Sequence, residues 1–361
     1  MNQRPVMIMA GGTGGHIFPA LAVAQDLMSR NVPVVWLGSR DGMEARLIPE
    51  TGIPIAWMKI SGLRGKGVVS WVMAPFRLMV AMGQALSALR HYRPRMVLGM
   101  GGFVAGPGGA MAAVLRIPLV IHEQNSVAGL TNRILSRMAT QVLQAFPGSF
   151  GAKTNISTVG NPVRDNITHV ASPAERMKDS SGQLKLLVIG GSLGAQVFNQ
   201  NLPSAIAQLP MAERPEVWHQ AGVKKIDEAR AAYQEAKVEA RVDPFIKDMA
   251  EAYSWADVVI CRAGALTVSE LAAVGVASIL VPYPYAVDDH QTGNARYLSD
   301  QGAAILMPQS EMSQEHLAEK ILELSRNRER LLSMAEKARS LSHPDATKQV
   351  ADVCLALGGV S

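Results

Sequence analysis

The sequence predicts an α/β protein with two Rossmann-like, doubly wound parallel sheets. The chain has 361 residues, more than a single hydrophobic core usually organises. Short apolar segments of β type alternate with helical patterns from end to end, as in parallel sheets covered on both faces. A strand that enters a glycine-rich turn occurs near the N-terminus and again after residue 184, as at the start of a second domain.

Each predicted strand is a short apolar run. Those of the first half are Val6–Ala10, Pro33–Leu37, Met96–Gly99 and Leu119–Ile121. Those of the second half are Leu184–Ile189, Glu216–His219, Ala256–Ile260 and Ala277–Val281. The sequence Gly160-Asn161-Pro162-Val163-Arg164 between the halves is the predicted hinge. Two such domains would leave an interdomain cleft, and clefts of this kind commonly bind ligands.

Composition narrows the class of protein. Hydrophobic residues make up 48% of the chain and charged residues 18%, which excludes disordered, collagen-like and disulfide-scaffold proteins. There are only two cysteines, Cys261 and Cys354, and the apolar stretch Val6–Ala10 is too short for the core of a signal peptide. We therefore expect a reduced, cytosolic protein.

The two halves differ in charge. Residues 1–163 carry 15 Lys and Arg against 5 Asp and Glu, whereas residues 164–361 carry 20 against 25. A basic half indicates an anionic partner, such as a phosphate-bearing substrate, nucleic acid or an acidic membrane face. The alternative is that the excess charge only solvates the surface.

The segment 68–89 is apolar almost throughout, and its polar residues Ser70, Arg77 and Gln84 recur seven apart. A transmembrane helix is disfavoured by Arg77 and Pro75. A helix buried inside the first domain and an interfacial helix that contacts anionic lipid both remain open. The interfacial hypothesis involves apolar Trp71, Phe76, Leu78 and Met79 with basic Arg64, Lys66, Arg77, Arg90, Arg93 and Arg95.

Glycine-rich turns after predicted strands are the sharpest signal. The segment Gly11–Gly15 precedes a helical run. The segment Gly190–Gly194 is a second glycine-rich turn of this kind, and its Ser192 adds a hydroxyl donor. Such turns let backbone N–H groups at a helix start approach an anion closely. The stretch 99–109 is a third candidate ligand-facing loop. Cys261–Glu270 is a fourth strand–turn–helix junction, where Glu270 could hydrogen-bond a ribose or simply favour the helix dipole.

Residue spacing disfavours a dinucleotide site, a P-loop and a metal centre. Ile17 stands where a dinucleotide-binding G-x-G-x-x-G motif needs its last glycine, and no Walker motif occurs. Asp288, Asp289 and His290 are adjacent and no second histidine lies at i+4, so a metal site is disfavoured. Sugar recognition by Asp289, Gln291 and Asn294 suits these short polar groups better.

Taken together, the motifs resemble the MurG family of bacterial cell-wall N-acetylglucosaminyltransferases over nearly the whole chain. They are Gly11-Gly12-Thr13-Gly14-Gly15-His16, the segment 60–67 (ISGLRGKG), His122-Glu123-Gln124-Asn125, the segment 160–164, Gly190-Gly191-Ser192 and the segment 264–270.

The resemblance implies a GT-B fold and an inverting transfer of N-acetylglucosamine from UDP-N-acetylglucosamine to lipid I, giving lipid II. Residues 1–163 would form the domain for the acceptor and the membrane, residues 164–340 the donor domain, and residues 341–361 a helix packing back on the first domain. No metal, other cofactor or nucleic acid is implied. The implied location is peripheral, at the cytoplasmic face of the inner membrane, against an anionic surface.

The resemblance also implies site residues. The predicted base for the muramoyl 4-hydroxyl is His16, with Glu123 in reserve, although His16 could instead only orient its loop. Arg262 and the helix starts after Gly191 and Gly264 would stabilise the leaving UDP. Predicted substrate-binding residues are Thr13, Gly14, Gly15, Asn125, Arg164, Ser192, Ile246 (with Phe245), Ala265, Leu266, Thr267, Val268, Ser269, Glu270 and Gln291.

Two other functions fit the same donor site. A UDP-N-acetylglucosamine epimerase of GT-B architecture would use the donor but no lipid, which leaves the apolar segment without a purpose. A noncatalytic nucleotide-sugar binding protein would bind UDP tightly and transfer nothing.

Overall fold

The computed structural model describes residues 4–60, 73–151, 156–178, 182–191 and 194–359. The chain divides into two compact units, residues 1–164 with 343–361, and residues 165–342. Each unit contains one parallel sheet with helices on its faces, so the predicted fold class is confirmed.

In its described residues the first unit has a seven-stranded parallel sheet in the order β3-β2-β1-β4-β5-β6-β7. The strands are β1 (Val6–Met9), β2 (Val34–Ser39), β3 (Ile55–Met58), β4 (Met96–Gly99), β5 (Leu119–Glu123), β6 (Gln141–Gln144) and β7 (Ile156–Thr158). The helices of this unit before residue 165 are α1 (Gly14–Ser29), α2 (Glu44–Leu47), α3 (Ala74–Tyr92), α4 (Ala105–Val114) and α5 (Leu130–Leu135).

In its described residues the second unit has a six-stranded parallel sheet in the order β10-β9-β8-β11-β12-β13. The strands are β8 (Lys185–Ile189), β9 (Glu216–Gln220), β10 (Arg241–Asp243), β11 (Val258–Cys261), β12 (Ala277–Leu280) and β13 (Ala304–Leu306). The helices are α6 (Asp165–Thr168), α7 (Pro173–Met177), α8 (Gln196–Ala207), α9 (Ile226–Glu235), α10 (Met249–Trp255), α11 (Ala265–Val274), α12 (His290–Ser299), α13 (Gln314–Ser325) and α14 (Arg328–Ser340).

The last helix, α15 (Ala346–Gly358), belongs to the first unit and packs on α1 and β4. Its buried residues Val350, Ala351 and Cys354 join the apolar cluster on that face of the sheet. The first unit is therefore completed by residues from the far end of the chain.

Both sheets reverse their strand order at one place. In the first unit β1 lies between β2 and β4, and in the second β8 lies between β9 and β11. At such a switch point the connections leave in opposite directions, so a crevice opens outside the carboxyl ends of the two strands. The glycine turns after β1, β4, β8 and β11 all lie at these two places.

The burial of side chains in helix α3 contradicts one of the two open hypotheses for the segment 68–89. The buried residues of α3 are only Ala81, Ala85 and Leu89, one stripe that faces the unit. The first two turns are largely exposed, with Phe76 at 57% and Met79 at 62% exposure. The hypothesis of a fully buried helix is therefore wrong for residues 73–92. The predicted contacts of Arg64, Lys66 and Trp71 lie outside the described residues, and no described helix is long and apolar enough to cross a membrane.

The third glycine-rich stretch is only in part a loop. Gly101 and Gly102 lie in the turn after β4, but Gly106, Gly108 and Gly109 are inside α4. A Cβ on Gly108 would overlap the Met9 sulfur, and one on Gly109 would press on Leu135. These helical glycines allow close packing of α4 on the sheet and on α5, so the expectation of a ligand-facing loop is wrong for them.

Candidate active site

The turn after β1 presents the start of a helix. Helix α1 begins at Gly14, and its N-cap Thr13 has an extended backbone but makes no side-chain capping hydrogen bond. The first N–H groups of an uncapped helix are available to an anion or a polar substrate. Thr13 and Gly15 are exposed. The backbone of Gly102 lies so close to Gly11 that a Cβ there would overlap the Gly11 carbonyl.

His16 lies in the first turn of α1 and is half-buried. Its Nδ1 is 2.9 Å from Oε1 of Gln124, which follows β5. Its ring also packs against Gly101, where a Cβ would press on the imidazole. The structure thus brings the predicted base together with the His122-to-Asn125 segment. Sequence reasoning gave Gln124 no role, although four polar residues directly after a buried strand are a signal for one.

Glu123, the predicted reserve base, is held by hydrogen bonds from its own loop. Its Oε1 accepts hydrogen bonds from the Asn125 backbone and side chain, at 3.0 and 3.3 Å. Its Oε2 accepts from Gly129 N at 3.1 Å and from Asn132 Nδ2 at 2.8 Å. A buried carboxylate with four donors shapes its loop. Glu123 therefore positions Asn125, and its predicted role as reserve base stays a prediction.

Glu44 is a second buried carboxylate, which sequence reasoning missed. Its Oε1 accepts from the N–H and Oγ of Ser39, at 2.9 and 2.8 Å, and its Oε2 accepts from Gly12 N at 3.0 Å. Gly11, Gly38 and Gly42 surround it so closely that a Cβ on any of them would press on the Glu44 side chain. Glu44 thereby ties the turn after β1 to the end of β2. The concentration of glycines at 11, 12, 38 and 42 was the available signal.

Arg164 ends the first unit. Its guanidinium lies 5.5 Å from the ring centroid of Phe18 in α1, a cation–π distance. This contact places Arg164 beside the helix that carries His16. Its predicted substrate contact stays a prediction.

In the second unit the corresponding helix start is that of α11. Gly264 is its N-cap and, as a glycine, makes no side-chain capping hydrogen bond. Ala265 and Val268 are buried, and Ser269 Oγ donates to the Ala265 carbonyl at 3.0 Å. The groups that this turn can offer an anion are therefore mainly backbone N–H groups, such as those of Leu266 and Thr267. Predicted Ser192 lies outside the described residues.

Glu270 lies one turn into α11 and is 5% exposed. Its Oε2 accepts a hydrogen bond from the Tyr253 hydroxyl at 3.0 Å, which fixes the orientation of the carboxylate. Burial, together with the charge of Glu270, raises the pKa of the Cys261 thiol, so this cysteine is no nucleophile at neutral pH. The predicted ribose contact of Glu270 stays a prediction.

The predicted uracil-binding residues lie just after β10. Phe245 is exposed and Ile246 is buried. The N–H of Ile246 donates to Oε1 of Gln220 at the end of β9, at 3.2 Å. Gln220, which sequence reasoning missed, holds this segment beside the carboxyl end of the sheet.

Arg262, which directly follows β11, holds the loop after β12. Arg262 donates from Nη1 to the carbonyls of Val281 and Pro282, both at 3.2 Å, and from Nη2 to Gln309 Oε1 at 2.6 Å. The guanidinium is thus committed to the loop after β12, which weakens its predicted role at the leaving diphosphate.

Asn294 is fully buried and donates to the Ala263 carbonyl at 3.1 Å, so its predicted sugar contact is wrong for this conformation. Gln291 accepts from Tyr283 N at 2.8 Å and is half-buried, and its sugar contact stays a prediction. Within the described ranges no three His, Cys, Asp or Glu residues are grouped to hold a metal ion.

Comparison with known proteins gives a consistent result. The glycosyltransferase family 28 N-terminal domain matches residues 6–144, and the family 28 C-terminal domain matches residues 185–350. A Marinobacter nauticus protein named UDP-N-acetylglucosamine–N-acetylmuramyl-(pentapeptide) pyrophosphoryl-undecaprenol N-acetylglucosamine transferase is 57% identical over 98% of this chain and 97% of its own length. An Alkalilimnicola ehrlichii protein of the same name is 55% identical over 97% of this chain and 98% of its own.

The fold is similar as well. The crystal structure of Acinetobacter baumannii MurG has a TM-score of 0.85 to this structure and 43% sequence identity, and the match covers 98% of this chain and 99% of that one.

We expect Glu44→Ala to destabilise the first unit by about 3 kcal/mol, because it leaves two buried donors on Ser39, and the N–H of Gly12, without an acceptor. Urea unfolding of the full chain measures this loss. The matched control is Glu50→Ala, since Glu50 is exposed in the neighbouring turn Pro49–Thr51 and should change stability by less than about 0.5 kcal/mol. Equal stability of the two variants would show that Glu44 does not hold the glycine turn.

Proposed function

The chain belongs to glycosyltransferase family 28, and from this membership we propose that it transfers N-acetylglucosamine from UDP-N-acetylglucosamine to N-acetylmuramyl-(pentapeptide) pyrophosphoryl-undecaprenol, which is lipid I. The product is lipid II, the precursor of peptidoglycan. The observation that carries this function is the 57% identity to a transferase of that name over 98% of the chain.

We place the donor on the second unit. Its diphosphate lies against the start of α11 and the turn after β8, because both follow neighbouring strands at the switch point of the second sheet. The uracil lies against Phe245 and Ile246, the ribose against Glu270 and the sugar near Gln291. As the sugar–phosphate bond breaks, the developing negative charge on UDP is stabilised by the helix N-terminus.

We place the acceptor on the first unit. Thr13, Gly14 and Gly15 at the start of α1, together with Asn125 and Arg164, line its site. His16 takes the proton of the muramoyl 4-hydroxyl, and the oxygen attacks the anomeric carbon as the bond to UDP breaks. A single displacement of this kind inverts the configuration and gives a β-linkage.

We place the exposed face of α3 on an anionic membrane at the cytoplasmic side, where a lipid-linked acceptor is found. The N-cap residue Met73 and, in the first two turns of the helix, Phe76, Leu78, Met79 and Val80 are all at least 40% exposed. Large apolar side chains that cluster on one exposed helix mark an interaction surface. The excess of 15 basic over 5 acidic residues in positions 1–163 favours anionic lipid.

The transfer reaction is tested with labelled UDP-N-acetylglucosamine, a short-chain lipid I analogue and excess chelator. We expect labelled product from the unaltered protein, and a loss of kcat of about 100-fold or more in His16→Ala with nearly unchanged affinity for UDP, since a general base contributes at least this factor. His169→Ala is the control, because His169 is an exposed histidine on the second unit.

Full activity of His16→Ala would eliminate His16 as the base. Epimer formation from the donor alone would favour the epimerase instead. Tight UDP binding without transfer to any acceptor would favour a noncatalytic binding protein.

Membrane contact is tested by cosedimentation with anionic vesicles. The double variant Phe76→Ser, Met79→Ser should bind roughly tenfold or more weakly, because each buried side chain contributes about 1.5 kcal/mol or more. Met211→Ser is the matched control, since Met211 is 82% exposed on the second unit. Equal binding by the double variant and the control would contradict the assignment of this face to the membrane.

A further inference from the structure

A chain of hydrogen bonds leads from His16 into the interior of the first unit. His16 Nδ1 contacts Gln124 Oε1 at 2.9 Å, and Gln124 Nε2 contacts His122 Nδ1 at 3.1 Å. His122 Nε2 then contacts the carbonyl oxygen of Gly160 at 2.9 Å. Gln124 and His122 are both buried, and neither has a role in the function proposed above.

The direction of this chain is fixed at its inner end. The Gly160 carbonyl can only accept, so His122 Nε2 must carry a hydrogen. Burial lowers the pKa of His122 to about 4, so the ring is neutral at pH 7 and its Nδ1 accepts. Gln124 Nε2 also lies 3.1 Å from the His122 carbonyl, a second acceptor. The amide therefore turns its NH2 group to His122 and its oxygen to His16.

Two hydrogen bonds and one close approach of the backbone hold this chain of hydrogen bonds in place. Asn161 Nδ2 donates to the Gln124 carbonyl at 3.1 Å, and Asn132 Nδ2 donates to the His122 carbonyl at 3.3 Å. Gly160 has φ +82°, and a Cβ there would overlap His343. The carbonyl that ends the chain therefore sits on a position that favours glycine.

We propose that Gln124 and His122 are positioning residues that fix the Nδ1–H tautomer of His16, so that Nε2 is the nitrogen that receives the proton of the acceptor hydroxyl. The amide oxygen of Gln124 can only accept, which requires a hydrogen on His16 Nδ1. Nε2 has no hydrogen-bond partner among the described residues. The proposal rests on the function proposed above, in which His16 is the base.

The proton balance is simple. The hydroxyl proton moves to Nε2, the oxygen bonds to the anomeric carbon, and the electron pair of the broken bond leaves with UDP. The imidazolium then carries a hydrogen on both nitrogens, and its Nδ1–H bond to Gln124 persists. No other group in this chain of hydrogen bonds gains or loses a proton. Gln124 therefore orients the His16 ring both when it is neutral and when it is protonated.

The tautomer is tested by NMR on the full chain with ¹⁵N-labelled histidine near neutral pH. In the unaltered protein we expect His16 Nδ1 to show the shift of a protonated ring nitrogen and Nε2 that of an unprotonated one. In Gln124→Leu we expect the Nε2–H tautomer to become populated, because nothing then requires a hydrogen on Nδ1. An Nε2–H tautomer in the unaltered protein would overturn the proposal, whether or not any variant folds.

The effect on turnover is tested with Gln124→Leu against Gln144→Leu. Gln144 is a buried glutamine on the neighbouring strand β6, and its Nε2 donates to Thr158 at 2.9 Å, away from the chain. Gln124→Leu should lower kcat about 10- to 100-fold with KM for UDP-N-acetylglucosamine unchanged, since part of the gain from a general base is lost with its orientation. Gln144→Leu should leave both values near those of the unaltered protein.

Equal kcat in these two variants would overturn the positioning role. Failure of the base itself is seen separately, as full turnover of His16→Ala. In that case the expected loss of kcat in Gln124→Leu no longer follows, because His16 is not the base. The NMR result still decides whether Gln124 fixes the tautomer of His16.

Discussion

The structure depends on glycine turns, whose backbone carries no side chains, at the carboxyl ends of neighbouring parallel strands. At both switch points a glycine turn leads into a helix, and in both units a turn glycine lies directly against the next loop. A Cβ on Gly102 would overlap the Gly11 carbonyl, and one on Gly194 would overlap the Ala221 carbonyl. Only glycine allows these turns to pack so closely against the neighbouring backbone.

Such turns have few side chains of their own, and buried carboxylates hold them in shape. Glu44 accepts hydrogen bonds from Gly12 and Ser39, and Glu123 accepts hydrogen bonds from the loop that contains Asn125. Glu270 orients itself by a bond to Tyr253 across α10 and α11. Because an unpaired charge in the interior is costly, each carboxylate fixes the geometry of its donors. These buried acids thus preorganise the turns and loops around them.

The central strands could be predicted from the sequence because they are buried on both faces and therefore apolar throughout. The strands β3, β6, β7, β10 and β13 were missed. They are short and lie towards the sheet edges, and β7, for example, has two exposed residues in three, so its pattern carries little signal. Helix α3 was ambiguous for the opposite reason. Its apolar surface is too wide to show that only the stripe of Ala81, Ala85 and Leu89 packs inward.

The glycine turns and His16 were found from the sequence because they follow recognisable strands. The partners of these residues were not found, because they are distant in sequence. Gln124 lies 108 positions after His16, and Glu44 lies 32 positions after Gly12. The four donors of Glu123 were not predicted either, because a carboxylate beside a predicted cleft looks the same in sequence whether it faces solvent or loop donors. Only the order of the strands determines which of these groups meet.

The most direct test of this account is amide hydrogen exchange of the full chain with and without UDP. If the helix start at α11 binds the diphosphate through its backbone, residues 264–268 should exchange more slowly when UDP is present. Residues 314–325 of α13, far along the chain from these turns, serve as the reference and should be unchanged. Unaltered exchange at residues 264–268 under saturating UDP would contradict the account.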